Sequence, residues 1–375
     1  MAKKTNCIIN GKSYYQEWIK LDGKRKLVRA DSERAWKKKT DKMKEKQSLG
    51  LIDVNMSVDK AMGVWVYNAL AHKPSIRLST FSIHEGTYRN RILGSSLSNV
   101  NLIDCKSVHI QNLINHQVKA GLSANAIQCS RKVLNMFFKY AVTEGYILKN
   151  PCANAYAPKT EPNEEIKVFT SEEIERIKIA LIGDRDRFLF LFDLATGLRQ
   201  GEALGFKHRD MKKDSIYVSR QQCTIRHIEQ GEKTLYEISD EPLKTDASYR
   251  EIPLPPSIRK EYLDHKKLCQ LEKLKWGKGK LIDDDYLFLS PTGLRCQTGN
   301  IQSKWEMILV KAEVEYKSFH SLRHTYITKL VQSGVNIVTV MQLAGHSKMS
   351  TTLRYTHIEK GFKELTIPII ENMIK

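Results

Sequence analysis

Residues 320–324 read His320-Ser-Leu-Arg323-His324. Downstream comes Leu343-Ala-Gly-His346, with Tyr355 nine residues after that histidine, inside Thr351-Thr-Leu-Arg-Tyr-Thr-His357. His320 and Arg323 stand about one turn apart, so a helix presents both on one face. Upstream, Leu243-Lys244-Thr-Asp-Ala-Ser-Tyr-Arg-Glu-Ile-Pro253 places Lys244 in an expected hairpin. Further upstream, Ala195-Thr-Gly-Leu-Arg-Gln-Gly-Glu-Ala203 sets Arg199 just after a glycine turn, with Glu202 one helical turn on. Each block alone has an ordinary reading: an Arg–Glu pair is usually a structural salt bridge, and a tyrosine on a helix usually packs. Together, two Arg, one Lys, two His and one Tyr are the inventory for moving a phosphoryl group without a metal.

Two other motifs fall away. Gly11-Lys12-Ser13 ends like a phosphate-binding loop, but Asn6 stands where that loop needs a glycine, and no strand–loop–helix pattern surrounds it. His320 and His324 are spaced like zinc ligands on a helix, yet Ser321 occupies the place of the glutamate such a hydrolase needs. No metal and no cofactor are therefore expected. The seven cysteines are scattered, odd in number and free of any CxxC pair, which suits reduced thiols rather than a disulfide framework or a zinc ribbon.

The chain has 375 residues, a length that points to two or three domains, and 41% of them are hydrophobic, enough for real cores. No apolar run approaches the roughly 18 residues a membrane helix needs, and the first residues form no signal-peptide core. The net charge of +19 is unevenly spread: residues 1–50 carry +9, residues 51–160 carry +7, and the remainder only +3. So basic and asymmetric a chain is built to meet a polyanion, and its nearly neutral C-terminal half must contribute something other than bulk attraction.

The pattern predicts an α+β, multidomain chain. Residues 1–50 read as strand, strand and helix: Ser13–Lys20, a turn at Asp22-Gly23, a return strand Arg25–Arg29, then a helix capped by Asp31 or Ser32 and running to about Lys46. Lys24, Arg25, Lys26 and Arg29 on the ribbon, with Lys37 and Lys38 on the helix, are candidate phosphate contacts. Residues 57–149 read as four helices: Val58 to His72 capped by Ser57, a second from Ser79-Thr80 to Gly94, a third from Cys105 to Lys119, and a fourth from Ser123 with the clearest three-and-four spacing of the chain. Residues 150–167 form an expected linker. Residues 168–375 open on the capping box Thr170-Ser-Glu-Glu173, are mainly helical, and carry a small antiparallel sheet between Ser215 and Leu254.

The four polar blocks, in this order over residues 165–360, resemble the catalytic set of the tyrosine recombinases, the phage integrase family. The His-x-x-Arg box, the Gly-His box and the nine-residue spacing from His346 to Tyr355 carry the resemblance. Gly201, where many members have Ser, and Ala344, where Leu is commoner before Gly-His, are small departures that remove no functional group. The resemblance implies that residues 57–149 are a core-site DNA-binding domain, that residues 1–50 are an arm-type DNA-binding module, and that residues 168–375 are the catalytic domain. It also implies a homotetramer on double-stranded DNA, with accessory directionality and DNA-bending proteins, in the cytoplasm of a bacterial host and associated with its nucleoid.

The chemistry follows from the residue types. Arg199 and Arg323 would clamp the non-bridging oxygens of a phosphodiester, because planar guanidinium matches phosphate geometry. Tyr355 would be the nucleophile. Its phenol is mostly neutral near pH 7 and needs positive surroundings or a base. His320 is the expected base, with the group that takes the proton left open. Lys244 would protonate the leaving 5′ oxygen, His346 would hydrogen-bond the phosphate, and Glu202 would orient Arg199 or a histidine. A 3′-phosphotyrosyl link would conserve the energy of the DNA bond, so no ATP is needed. The function read from this is integration, and excision, of a phage or conjugative element. The alternatives are a resolvase or invertase with the same chemistry, or a catalytically idle DNA-binding protein on the same scaffold. The apolar tail Ile367, Ile369, Ile370 and Met373 suits docking either on its own domain or on a neighbouring protomer.

Overall fold

The computed structural model describes residues 6–21, 24–48, 56–159, 166–228 and 234–356. The expected Asp22-Gly23 turn and the apolar tail lie outside them. The chain divides into two compact units, Met1–Pro162 with Ile228–Thr234, and Asn163–His227 with Leu235–Lys375.

The first unit begins with a three-stranded antiparallel sheet of β1 (Cys7–Ile9), β2 (Lys12–Leu21) and β3 (Lys24–Ala30), followed by α1 (Glu33–Ser48). Strand β1 was not expected. Asn10 and Gly11, with φ of 47° and 74°, form the two-residue turn that joins it to β2, and left-handed backbone at both positions is what such a turn requires. The Ser32 hydroxyl caps α1 by accepting from the Ala35 amide at 3.3 Å. One sheet face packs on that helix: Trp36 Nε1 donates to the Val28 carbonyl at 2.9 Å, and the Tyr15 and Trp36 rings meet edge to face. The other face is left open, with Trp18 opposite Leu27 and both exposed.

The helices α2 (Val58–Val64), α3 (Leu78–Arg91), α4 (Ser107–Lys119) and α5 (Ala124–Thr143) follow. Ser57 and Ser123 cap α2 and α5 through their hydroxyls. The expected helix Val58 to His72 is not uniform: beyond Val64 it widens into a π turn, Trp65–Leu70, closed by the Ala71 amide on the Val66 carbonyl. That widening lets Trp65, Val66 and Leu70 all reach the core beside Phe137 and Phe138.

In the second unit the expected capping box forms, Thr170 and Glu173 exchanging side-chain and backbone hydrogen bonds at the head of α6 (Ser171–Ala180). Helix α7 (Arg187–Thr196) is apolar nearly all round and buries Phe188 through Phe192. Around it lie α8 (Gln200–Leu204), α9 (Pro256–Lys275), α10 (Thr298–Lys311), α11 (His320–Gln332), α12 (Ile337–Ala344) and α13 (Met349–Leu353). The core is aromatic: Phe190 stacks on Trp305, whose indole donates to the Lys317 carbonyl. Strands β4 (Ser215–Val218) and β7 (Arg250–Pro253) pair with each other, as do β5 (Arg220–His227) and β6 (Leu235–Pro242), all antiparallel. One expectation is corrected. Lys244 is not in a hairpin, because β6 and β7 belong to different sheets and Lys244 lies on the crossing between them. Isolated antiparallel bridges join Lys207 to Tyr286 and Leu289 to Arg295. Among the described residues no helix is long and apolar enough to cross a membrane.

Candidate active site

The site grows from three helix ends in the second unit. Helix α7 stops at Gly197, whose φ of 58° turns the chain sharply. A Cβ there would lie 2.2 Å from the Tyr326 ring, so only glycine fits. Two residues on, Arg199 is the N-cap of α8, and Glu202 closes a capping box on it: the carboxylate accepts from the Arg199 amide at 3.0 Å and from its Nη1 at 2.6 Å. Glu202 is buried and also accepts from Arg250 Nη2 at 2.9 Å. Burial raises the Glu202 pKa, but Arg250 and then Arg199 outweigh it and bring it down to about 2, so the carboxylate is fully ionised at neutral pH.

The second and third ends are α11, which carries His320, Arg323 and His324, and α12, which closes on Gly345 at φ 65°. A helix leaves its last carbonyls without intrahelical partners and its C-terminus partially negative. Here three arginines take three successive carbonyls: Arg250 Nε donates to Leu343, Arg323 Nη2 to Ala344, and Arg199 Nη2 to Gly345. Arg323 Nη1 also donates to the Gly197 carbonyl at 2.7 Å. Burial, then Arg199, lower the Arg323 pKa to about 10, which leaves it charged at neutral pH. Each terminal guanidinium nitrogen has two hydrogens, so Arg323 retains donors for a further acceptor. The Arg199 side chain is about 38% exposed. Three guanidinium charges against one carboxylate leave a local positive excess suited to an anion. Asp193 is fully buried nearby, and burial pushes its carboxyl well above the ordinary range against the pull of Arg323.

Just past α12, His346 is buried and its Nδ1 lies 2.9 Å from the Thr352 hydroxyl. Its ring is nearly parallel to that of Tyr355, with centroids 6.4 Å apart. Tyr355, only 5% exposed, follows α13, and its hydroxyl lies 2.7 Å from Nδ1 of His324. Burial raises the Tyr355 pKa, against the pull of Arg323, Arg354 and Arg199, so the phenol is protonated at neutral pH. A groove of about 410 Å³ opens beside His346, lined by Tyr249, Arg250, Thr339 and Gln342 among others.

The structure therefore gathers Arg199, Glu202, Arg323, His346 and Tyr355. His320 is also present, exposed, with its ring edge-on to His324 at 4.7 Å, and no hydrogen bond joins it to Tyr355 among the described residues. Lys244 stands apart: it is exposed and, among the described residues, has no ion pair or hydrogen bond. Sequence reading missed two residues. Arg250 was quoted without a role, although inward alternation on a strand with Ile252 marks it as a buried charge that needs partners. His324 was weighed only as a zinc ligand. Among the described residues no cluster of His, Cys, Asp or Glu is arranged to hold a metal. The departure at Gly201 also has a cause, since a Cβ there would lie 2.8 Å from the Gln222 carbonyl oxygen of β5.

The candidate DNA contacts lie in the first unit. Arg25 and Arg29 alternate onto the open sheet face with Gln16 and Trp18, and Arg29 bonds Gln16 and sits over the Tyr14 ring. Lys26 is in register with Ile19, on the side of the sheet that packs on α1. Lys24 begins β3, its side chain outside the described residues. Lys37 pairs with Glu33 at 3.2 Å, and Lys38 is exposed.

Residues 167–361 match the phage integrase family. A tyrosine recombinase XerC-like protein of Caldanaerobacter subterraneus subsp. tengcongensis is 35% identical over 96% of both chains. Tyrosine recombinase XerC of Escherichia coli O157:H7 is 26% identical over 68% of this chain and 77% of that protein. Among solved structures, the Tn1549 transposon integrase in complex with a circular intermediate DNA superposes with a TM-score of 0.65 at 20% identity, covering 80% of this chain and 94% of that one. A lambda integrase tetramer bound to a Holliday junction gives 0.59 at 16% identity, covering 92% of each. With the fold, the cationic cluster and the buried tyrosine in agreement, the chain belongs to the phage integrase family and is a tyrosine recombinase, a site-specific DNA recombinase.

Proposed function

We propose that this recombinase integrates and excises a mobile element, cutting each strand with Tyr355 to leave a 3′-phosphotyrosyl link. The observation that carries the chemistry is the buried Tyr355 hydroxyl, held by His324 at 2.7 Å and within the electrostatic reach of Arg323 and Arg199, in a site with more cations than anions. The two arginines bind the non-bridging oxygens and gain strength as charge gathers there in the transition state. His346 hydrogen-bonds the same phosphate, and Glu202 keeps Arg199 oriented. Lys244, unpaired and on a chain crossing at the edge of the site's elements, is the proton donor to the 5′ oxygen and reaches it when DNA is bound.

Double-stranded DNA is the partner. Residues 57–149 and 168–375 grip core sites, and residues 1–50 read separate arm sites. What supports the arm reading is the open face of the first sheet, where Arg25, Arg29, Gln16 and Trp18 stand together; a two- or three-stranded ribbon of this kind fits a major groove. Recombination between two duplexes requires four protomers, and accessory bending and directionality proteins would set its sense. The second reading, resolution of replicon dimers, is favoured by the XerC-like relative that aligns over nearly the whole chain. One experiment separates the two. The host–element junctions are sequenced and placed on two plasmids with the purified protein. Joining of separate plasmids supports integration. Resolution of directly repeated sites without any joining favours the dimer-resolving reading, and absence of a protein–DNA adduct on every substrate supports an idle scaffold.

A further inference from the structure

We propose that the open face of the first sheet reads a guanine through Arg29 and Gln16, and a thymine about two base pairs away through Trp18 and Leu27. The inference deepens the arm-site reading above and rests on it. Across β2 and β3 this face is built from cross-strand pairs: Gln16 lies opposite Arg29, Trp18 opposite Leu27, and Lys20 opposite Arg25. Side chains alternate along a strand, so all six stand on one side. The other side carries Tyr15 and Ile19 toward α1. Glu17, the one carboxylate in the three strands, is on that packed side with Tyr15, whose hydroxyl donates to it at 2.6 Å. The open face is therefore cationic and apolar with no acid on it. That combination suits a polyanion that carries methyl groups.

Hydrogen bonding fixes what Arg29 and Gln16 can read. Arg29 Nε donates to the Gln16 side chain at 3.1 Å, and a guanidinium can only donate, so the amide atom that meets it is the oxygen. Gln16 Nε2 is thereby left as the donor end of the amide. The Gln16 main chain is held as well: Asn6 Nδ2 donates to its carbonyl and Asn6 Oδ1 accepts from its amide, both at 2.8 Å. The Arg29 guanidinium lies over the Tyr14 ring, 5.8 Å from its centroid, a cation–π contact. Arg29 is exposed, and its only side-chain hydrogen bond among the described residues is the one from Nε. Its two terminal nitrogens and Gln16 Nε2 thus form a set of donors in one fixed arrangement. In a major groove guanine alone presents two acceptors side by side, O6 and N7, whereas adenine and cytosine present an amine that meets a donor badly. Arg29 forks onto the guanine pair, and Gln16 holds the fork and donates to a flanking acceptor.

Trp18 and Leu27 are 65% and 38% exposed, an apolar pair in register on a surface that is otherwise cationic and polar. The thymine C5-methyl is the apolar group that base edges offer in the major groove, and this pair is shaped to cover it. Spacing sets the sequence. Residues two apart on one strand face are about 6.8 Å apart, and base pairs rise about 3.4 Å. A sheet lying along the groove therefore advances about two base pairs from the Gln16–Arg29 pair to the Trp18–Leu27 pair. Lys20 and Arg25, one pair further on, meet backbone phosphates, which add affinity without sequence information. Because Asn6 and Tyr14 already hold the reading side chains, little ordering remains to be done on binding.

The test uses the full chain and a pool of random duplexes, with unlabelled crossover duplex from the sequenced junctions added to occupy core binding. The full chain should select a motif that the chain lacking residues 1–50 does not, and the motif should hold a guanine and a thymine at the stated spacing. On that duplex, replacing the G·C pair by A·T should weaken native binding about 5- to 150-fold. Arg29→Ala should bind both duplexes alike, and Gln16→Ala should lose part of the discrimination. Replacing the thymine by uracil should weaken native binding about fourfold, the worth of one buried methyl, and Trp18→Ala should not distinguish the two. The altered side chains are exposed or half-buried on the face away from α1, and unchanged core-site binding by each variant verifies its folding. Arg29→Ala that weakens both duplexes equally while keeping the native ratio between them overturns the assignment. Uracil discrimination that survives Trp18→Ala overturns it too, as does a smaller oligomer of Trp18→Ala without DNA, which would make this face a protein contact. If the full and truncated chains select the same motif, the arm-site reading falls and this inference with it.

Discussion

Removing Arg250 tests how the cationic site is held together. Arg250 is buried, and its guanidinium spends its donors on Glu202, Leu343 and Ser248. Arg250→Met keeps much of the volume and removes the charge. The Glu202 pKa of about 2, against an ordinary value of 4.5, is a depression worth about 3 kcal/mol at roughly 1.4 kcal/mol per unit. Because the folded value lies below the unfolded one, this stability is present above about pH 4.5 and is lost as pH falls toward 2. Arg250 is the largest of the attractive contributions, and its loss leaves a buried carboxylate with only Arg199. Breaking one side of such a buried pair costs about 3–5 kcal/mol. Native-state hydrogen exchange at the amides of α8 and α12 reads this locally. Arg250→Met should lose about 3–5 kcal/mol of protection there near pH 7, and less near pH 4, where Glu202 can be protonated. Arg250→Met combined with Glu202→Gln should recover part of that loss, because the orphaned charge is gone. A loss below about 1 kcal/mol, the range of exposed ion pairs, or a loss independent of pH, would refute the view that Arg250 keeps Glu202 ionised.

Four further outcomes are expected. Tyr355→Phe should abolish adduct formation while leaving site binding nearly unchanged; an adduct that persists would move the nucleophile to Tyr316 or Tyr326. Lys244→Ala should be slow on ordinary DNA and recover on DNA with sulfur at the bridging 5′ position, because a thiol, with a pKa of about 8.5 as in cysteine, leaves with little help; no recovery would mean that Lys244 only positions the phosphate. Cleavage and joining should proceed in EDTA without ATP, and activity restored only by Mg²⁺ would contradict the cationic mechanism. Deleting residues 1–50 should spare core-site cleavage and abolish integration. If about four to six of its basic residues contact phosphate, the isolated fragment should bind arm DNA with a log–log salt slope near −4 to −5; footprints that show uniform coverage rather than discrete repeats would argue for a nonspecific basic tail.

Arg199, Glu202, Arg323, His346 and Tyr355, which the second unit gathers, were legible because the proposed chemistry needs rare residue types at fixed local spacings. The first sheet and α1 were legible from strand formers followed by a serine cap. Strand β1 was readable too, since Asn10-Gly11 is a strong hairpin pair, but its residues were weighed only as a phosphate loop. What the sequence hid was long-range. The placement of Lys244 depends on β6 pairing with β5 and β7 with β4, which no local pattern specifies. The π turn after Val64 exists because three apolar side chains share one core, a tertiary demand that overrides helical periodicity. Arg250 acquires its partners only when α8, α12 and β7 converge, and His324 only when the segment after α13 meets α11.

The carbonyls at the end of α12 carry one more implication, for how this sequence can drift. All three arginines are anchored there on main-chain oxygens, not on side chains. The identity of residues 343 and 344 is therefore decoupled from the placement of the cations. Ala344 can stand where related boxes favour leucine, provided its small side chain is accommodated in the core. Gly345 has no such latitude: its φ is 65°, and a Cβ would lie 2.8 Å from Arg250 Nη1. Natural variation in this motif should consequently be permissive just before the glycine and closed at it, so that the box can diverge in lettering while the geometry of the anion site is inherited intact.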